Sequence, residues 1–274
     1  GSPRSITRRS SIFSNDWKIQ SSVDNQFAIE TRDLKKTYKN KSHPTLDGFS
    51  LQIPYGSLFG LLAPNGAGKT TAINIICGLR RYDSGEIYID GHDVSDGMQH
   101  VKPLLGLIPQ EIALFPSLTA YENLKIFGGL YGLGKKLLEE RIDQLLELFD
   151  LSASRNSYIN RFSGGMKRRV NVIAGMLHAP KILILDEPTV GVDAQSRRLI
   201  LEKLTDINKA GTTILFISHY LEEAEQICNQ VAFMDNGTIV CQGNPADLIA
   251  GNSKCSCLES LYLLSTGKKM RDSQ

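Results

Sequence analysis

The stretch that most constrains this sequence is Ala63–Thr70, which reads A-P-N-G-A-G-K-T. It follows an apolar run, Leu58–Leu62, that is typical of a buried strand. After it, apolar residues recur at helical spacing, which predicts a helix that starts near Lys69. A strand, a glycine-containing loop with Lys-Thr and a helix in this order predict a site for nucleotide phosphates. A plain glycine turn between a strand and a helix is the alternative.

The backbone and the side chains of this loop have separate roles in the predicted site. Gly66 and Gly68 let the backbone turn its N–H groups toward phosphate oxygens, and the positive end of the helix faces the same anion. Lys69 supplies a charge for the β- and γ-phosphates, and Thr70 supplies a hydroxyl for Mg²⁺. We therefore predict nucleotide contacts from Ala63, Pro64, Asn65, Gly66, Ala67, Gly68, Lys69, Thr70 and Thr71.

One loop position departs from the usual pattern, because Ala63 stands where most phosphate loops have glycine. An alanine in the left-handed region of backbone space costs about 1–2 kcal/mol. We therefore expect a negative φ at Ala63.

A second motif is the run I-L-I-L-D-E at residues 182–187. Its lack of alternation predicts a buried parallel strand, which delivers its last residues to the edge of the sheet where ligands bind. Asp186 is placed to hold Mg²⁺ opposite Thr70, and Glu187 is the candidate general base for an attacking water. Two carboxylates that only cap a loop are the alternative.

The charge distribution and the hydropathy limit the partners of the chain. The net charge is +2, and the basic excess lies in the two ends, so that the central part is slightly acidic. Charge alone therefore gives no nucleic-acid-binding face. No run approaches the about 20 apolar residues that cross a bilayer, so we expect membrane association only through a partner.

A third motif, F-S-G-G-M at residues 162–166, precedes the Asp-Glu strand by one predicted helix. In this position it resembles the signature motif of the ABC-family ATPases. The resemblance covers about residues 27–250 and includes four further matches: Tyr38 to the adenine-stacking aromatic, Gln110 to the glutamine loop, residues 191–193 to the aspartate loop and His219 to the switch histidine.

The resemblance implies an α/β fold, with a P-loop NTPase core, a helical insert subdomain at about residues 111–165 and a small antiparallel β subdomain. The ABC ATPase domain would then span residues 27–250. Residues 1–26, rich in Ser, Arg and Asn without an apolar period, are expected to be a flexible N-terminal tail, and residues 251–274 a C-terminal tail with a short helix at 258–264. ATP and Mg²⁺ are the implied cofactors. Gln110 would reach the metal and the water, and His219 the γ-phosphate.

The resemblance also implies a dimer that ATP closes. Ser163, Gly164 and Gly165 open a helix, which is an anion site of the same kind as the first. In this family they face the γ-phosphate held by the other subunit. Ser163 is also a good helix N-cap, and it can be both. We expect a homodimer, since no residue of the catalytic set is missing.

The sequence S-G-G-M-K-R-R at residues 163–169, with Met166 where most of the family has glutamine, resembles a bacterial export branch. The expected function is therefore that of an ATP-hydrolysing subunit which powers export through a separate transmembrane permease at the cytoplasmic face of the membrane. A soluble ABC ATPase that acts on ribosomes or nucleic acid is the alternative. A non-hydrolysing regulatory subunit is disfavoured by the presence of Glu187 and His219.

The segment 111–116 follows Gln110 and lies where the family docks its membrane subunit. Its apolar residues can line a groove for a helix of the transporter, or they can fill the core of the helical insert. After this segment, apolar residues recur at helical spacing over 118–131 and 135–151, which predicts two helices of the insert.

Overall fold

Two apolar runs, β3 (Leu58–Leu62) and β7 (Ile182–Asp186), form inner strands of a six-stranded sheet with the order β10-β9-β3-β8-β7-β6. Every residue of both strands is buried, which confirms the expectation for a parallel strand covered on both faces. Five strands run parallel, and β10 pairs antiparallel with β9. The other strands of this sheet are β6 (Leu105–Ile108), β8 (Thr213–Ser218), β9 (Gln230–Asp235) and β10 (Thr238–Gly243).

A separate four-stranded sheet is antiparallel throughout, with the order β2-β1-β4-β5. It is the small antiparallel subdomain that was predicted. Its strands are β1 (Phe27–Lys36), β2 (Leu46–Pro54), β4 (Ser84–Ile89) and β5 (His92–Asp93).

Eight α-helices and four short 3-10 helices lie in the part of the chain that the structure describes. One predicted to start at Leu118 starts at Ala120, because Thr119 and Glu122 form a reciprocal capping box. The next ends at Leu148, just before Asp150 turns into the left-handed region at φ 54°. The helices are α1 (Lys69–Ile76), α2 (Ala120–Leu130), α3 (Lys135–Leu148), α4 (Gly164–Met176), α5 (Ala194–Lys209), α6 (Leu221–Ile227), α7 (Pro245–Ala250) and α8 (Leu258–Thr266).

The parallel sheet separates two hydrophobic clusters. Leu183 and Leu185 face a cluster that includes residues of α2, α3, α4 and α5, while Ile182 and Ile184 face one that includes α1 and the antiparallel sheet. Successive residues of a strand point to opposite faces, so one short apolar run contributes to both clusters. The helical segment and the antiparallel sheet are therefore each anchored on a different face of the same sheet.

The structure, a computed structural model, describes residues 26–40 and 42–267. The predicted N-terminal tail, residues 1–26, lies outside it except for Gln26. Within the predicted C-terminal tail, residues 251–274, the chain forms α8, and Leu258 and Tyr262 of this helix are fully buried against the helical cluster. Residues 268–274 lie outside the described part. No described helix combines the length and the apolar character that crossing a bilayer requires.

Glycines at 106 and 175 allow β6 and α4 to approach closely. A Cβ at Gly106 would overlap the carbonyl oxygen of Gly175, and a Cβ at Gly175 would lie 2.9 Å from the side chain of Ile108. The first clash involves backbone, which cannot move aside without shifting the helix.

We expect Gly106→Ala to lower the free energy of unfolding by about 1–3 kcal/mol through overpacking. The control is Gly129→Ala in α2, where an added Cβ meets open space and should raise stability by about 0.8–1 kcal/mol through helix propensity. Urea unfolding of both variants measures the difference. Equal stabilities for the two variants would contradict the close approach.

Candidate functional site

The glycine loop, residues 63–68, joins the carboxyl end of β3 to the first residue of α1. Gly66 and Gly68 have φ values of 83° and 107°, in the left-handed region that favours glycine. At Gly68 a Cβ would also lie 2.8 Å from the carbonyl oxygen of Thr45. The loop therefore has the strand–loop–helix geometry that the sequence predicts, with the N-terminus of α1 at its end.

Ala63 does not have a positive φ, which confirms the expectation for this position. It is fully buried, and its carbonyl oxygen accepts a hydrogen bond from the Lys69 ammonium at 2.6 Å. The same ammonium lies 3.3 Å from Oε1 of Glu187, and both side chains are only 6% exposed. Lys69 is thus held over the loop by a main-chain oxygen and a buried carboxylate.

Glu187 is the point at which the ends of three neighbouring strands meet. It follows β7 with a φ of 48°, and its N–H donates to the carbonyl of Ile217 on β8 at 3.0 Å. Gln110, after β6, donates its amide to Oε2 at 3.4 Å. His219, after β8, places Nδ1 3.2 Å from Oε1. The structure thus brings together Lys69, Gln110, Glu187 and His219, the predicted catalytic set.

Burial controls the charges at this site. It lowers the pKa of Lys69, against the opposing attraction of Glu187 and Asp186. It raises the pKa of Asp186, and the neighbouring charge of Glu187 raises it further, while Lys69 and Arg168 oppose both effects. The site therefore contains a desolvated cation and desolvated carboxylates, which interact strongly with a charged ligand.

The residues present fit a magnesium ion that is shared with phosphates. Within residues 26–40 and 42–267 no cluster of three or more His, Cys, Asp or Glu side chains could form an all-protein metal site. Mg²⁺ typically takes one or two carboxylates and substrate phosphates, and it retains several waters. Asp186 supplies the carboxylate, and Thr70, an exposed residue in the first turn of α1, supplies a hydroxyl.

Tyr38 lies in the connection between β1 and β2, beside the start of α1. Its hydroxyl is 3.3 Å from Oγ1 of Thr71, and its ring is partly exposed. Tyr38 therefore adjoins one of the predicted phosphate-loop residues and leaves part of its ring accessible. Its role as an adenine-stacking residue remains a prediction.

The turn at residues 163–165 lies against the start of α5. Ser163 caps α4, with Oγ accepting from the N–H of Met166 at 3.2 Å. A Cβ at Gly165 would overlap the side chain of Ser196 and lie 3.0 Å from Oδ2 of Asp193, the N-cap of α5. The predicted N-cap is confirmed. The structure packs this turn against the start of α5, so Gly165 is also required by packing.

Two buried charged residues were missed in the sequence. Glu223 on α6 is 6% exposed, and its carboxylate accepts a hydrogen bond from Oγ1 of Thr189 at 2.6 Å and lies 3.4 Å from the Arg197 guanidinium. These two contacts connect α6 with α5 and with the segment after Glu187. Arg168 is 4% exposed and contacts the main chain at Gln110. In a single sequence both residues read as solvated helix positions, and no local signal distinguishes them.

The chain matches the family model described as ABC transporter over residues 46–190. The linearmycin resistance ATP-binding protein LnrL of Bacillus subtilis (strain 168) is 42% identical over 80% of this chain and 70% of its own length. The Nod factor export ATP-binding protein I of Cupriavidus metallidurans is 37% identical over 84% of this chain and 76% of its own length. The daunorubicin resistance ATP-binding protein DrrA3 of Streptomyces coeruleorubidus is 37% identical over 81% of this chain and 70% of its own length.

Solved structures agree with this fold. One described as an ATP binding subunit of an ABC transporter superposes with a TM-score of 0.78 at 30% identity, over 87% of this chain and 99% of that one. The dimeric structure of MJ0796, a bacterial ABC transporter cassette, gives a TM-score of 0.71 at 25% identity, over 79% and 98%.

We expect Asp186→Asn to stabilise the nucleotide-free protein at pH 8 by about 0.5–2 kcal/mol. Because the pKa of Asp186 is raised by folding, the folded state binds more protons than the unfolded state between the two pKa values, and its stability falls as pH rises through that window. Asparagine has no charge to desolvate, so the substitution removes this loss of stability. The gain in the free energy of unfolding is therefore complete above the folded-state pKa and disappears below the unfolded-state pKa.

Thermal unfolding at pH 8 and at lower pH measures this effect. The control is Asp206→Asn, which changes a carboxylate that is 52% exposed and should move the stability by no more than about 0.5 kcal/mol. A lower melting temperature for Asp186→Asn at pH 8 would show that the carboxylate is stabilising where it is buried.

Proposed function

This chain belongs to the ABC transporter ATP-binding family, and we propose that it hydrolyses ATP to drive export through a separate membrane permease. The convergence of Lys69, Gln110, Glu187 and His219 beside the glycine loop carries the proposal, because these groups meet the needs of phosphoryl transfer to water. The names of the relatives, which include linearmycin and daunorubicin resistance and Nod factor export, support an export role.

In the proposed reaction, Lys69 and the loop N–H groups bind the β- and γ-phosphates. Glu187 accepts the proton of the attacking water, which Gln110 and His219 orient, and a base of this kind typically contributes 10²–10⁴ in rate. Thr70 and Asp186 would hold Mg²⁺, which neutralises phosphate charge when bound. Tyr38 stacks on the adenine ring.

The proposed active unit is a homodimer in which each chain completes the site of the other. Ser163, Gly164 and Gly165 open α4, whose N-terminus is suited to an anion. Their neighbours in the same chain are Gly191, Asp193 and Ser196. The γ-phosphate that they would bind is then the one held by the second copy. The dimeric MJ0796 cassette supports this arrangement.

The proposed contact with the permease is the segment 111–116, which would place the chain at the cytoplasmic face of the membrane. Phe115 is 50% exposed and Ile112 is 38% exposed, so these side chains do not fill the helical core. The backbone of Phe115 is nevertheless fixed, because the buried Asn123 accepts from its N–H at 2.8 Å and donates to its carbonyl at 3.1 Å. A fixed loop with an exposed aromatic residue suits docking of a helix.

We expect Glu187→Gln to lower kcat for ATP hydrolysis by about 10²-fold or more, since it removes the base, and to retain ATP binding. Size-exclusion chromatography with Mg²⁺-ATP should then show an accumulated dimer. Glu222→Gln, which changes an exposed carboxylate on α6, is the control and should behave as the wild type. A Glu187→Gln protein that binds ATP and stays monomeric would contradict the shared site.

We expect Phe115→Asp to retain the ATPase activity and melting temperature of the purified chain, and to lose its association with washed membranes of the native cells. The physical reason is that a charge at the centre of an apolar contact opposes desolvation. Leu263→Asp, a similar change at a 39% exposed position on α8, is the control and should retain both properties. An unfolded Phe115→Asp protein would assign this residue to the core.

A further inference from the structure

Arg168 is a buried arginine that joins α4 to the loop after β6. Its side chain is 4% exposed, and its two terminal nitrogens donate to the carbonyl oxygens of Pro109 at 3.1 Å and Gln110 at 2.6 Å. Asn171, one turn further along α4, adds a bond to the Pro109 carbonyl at 3.4 Å. The main chain that carries Gln110 is therefore held by side chains of α4.

The two ends of this connection are both parts of the proposed site. Gln110 donates its side-chain amide to Glu187, the proposed base. Arg168 lies just over one turn from Ser163, which caps the same helix and faces the second nucleotide in the proposed dimer. Arg168 thus stands between the residue that contacts the partner's ATP and the residue that orients water on the chain's own ATP.

The chemistry of Arg168 is unusual for a purely structural residue. Burial lowers the pKa of its guanidinium, and the charge of Asp186 opposes this. Its Nε atom is buried without a hydrogen-bond partner. A planar guanidinium that donates to two consecutive carbonyls fixes the direction of the chain as well as its position, which a lysine cannot do.

We infer that Arg168 is a positioning residue, which sets the place of Gln110 against Glu187 and transmits the position of α4 to it. Its hydrogen bonds go to the main chain at Pro109 and Gln110, so we expect it to act on the reaction through the position of Gln110. The catalytic part of this inference rests on the proposed ATPase function.

The first test is hydrogen exchange of the nucleotide-free protein. In Arg168→Met, the amides of residues 105–115 should exchange about tenfold faster or more, since charged hydrogen bonds to the loop are lost. Arg141→Met is the matched control, because Arg141 donates to the carbonyl of Leu177 at 2.7 Å, at the opposite end of α4. It should leave residues 105–115 unchanged. Should Arg168→Met fail to fold, Arg168→Gln, which keeps one amide donor, replaces it.

The second test is a double-mutant comparison of the ATPase activity. Arg168→Met should lower kcat about tenfold or more with KM for ATP unchanged, since misplacing a reacting group by 1 Å can cost about 10²-fold. Arg168→Lys, with a single donor group, should recover part of the loss. The double variant with Gln110→Ala should be no slower than Gln110→Ala alone, because both changes remove the same contribution.

Normal exchange of residues 105–115 in folded Arg168→Met would overturn the inference. So would losses in kcat that multiply in the double variant, or an equal loss in kcat for Arg141→Met. A wild-type protein that hydrolyses no ATP would instead refute the proposed function, and the exchange measurement would still decide whether Arg168 holds the loop.

Discussion

The ion pair between Lys69 and Glu187 is the interaction on which the rest of the site depends. Both side chains are only 6% exposed, so neither charge is tolerated without the other. The pair exists because β7, β8 and β3 are neighbours whose ends are level, with Asp186 opposite Ile217 and Leu62 opposite Ser218. A shift of one strand by one residue would separate the lysine, the carboxylate and the histidine. The register of the sheet therefore determines the chemistry.

Close packing of α4 is the second constraint, and it connects the sheet with the Ser163 turn. Gly165 leaves space for Ser196 at one end of the helix, and Gly175 leaves space for Ile108 of β6 at the other. Arg168 lies between these contacts and holds the backbone of Gln110. A helix fixed at both ends in this way moves as a unit, because packed interiors transmit displacement with little compression. The first turn of α4 and the glutamine loop at Gln110 are therefore both positioned by the same helix.

The sequence predicted the parts of the site that depend on local rules. The glycine loop, the unbroken apolar run of β7 and the serine cap of α4 each have a signature within a few residues, and all three are present. The burial of Arg168, Glu223 and α8 depends on contacts with segments distant in the chain, for which a single sequence has no signal. The start of α2 was a different case. The pattern T-x-x-E at Thr119 was visible, and helical periodicity alone placed the start too early.

Two helix N-termini in this chain, those of α1 and α4, follow glycine or serine turns. The charged groups around them suit one better than the other to binding an anion. The start of α1 lies beside Lys69, so the loop and a full positive charge act on the same phosphate. At the start of α4 the Asp193 carboxylate lies 3.0 Å from a Cβ position at Gly165, and the Arg169 guanidinium donates to the main-chain carbonyls of Gly165 and Phe149. An anion there meets favourable backbone dipoles and a repelling acid. Such a half-site binds weakly by itself, and it becomes useful when a phosphate arrives already bound to a cationic loop of another chain. The asymmetry of the two termini is thus a physical reason for the chain to act as a pair.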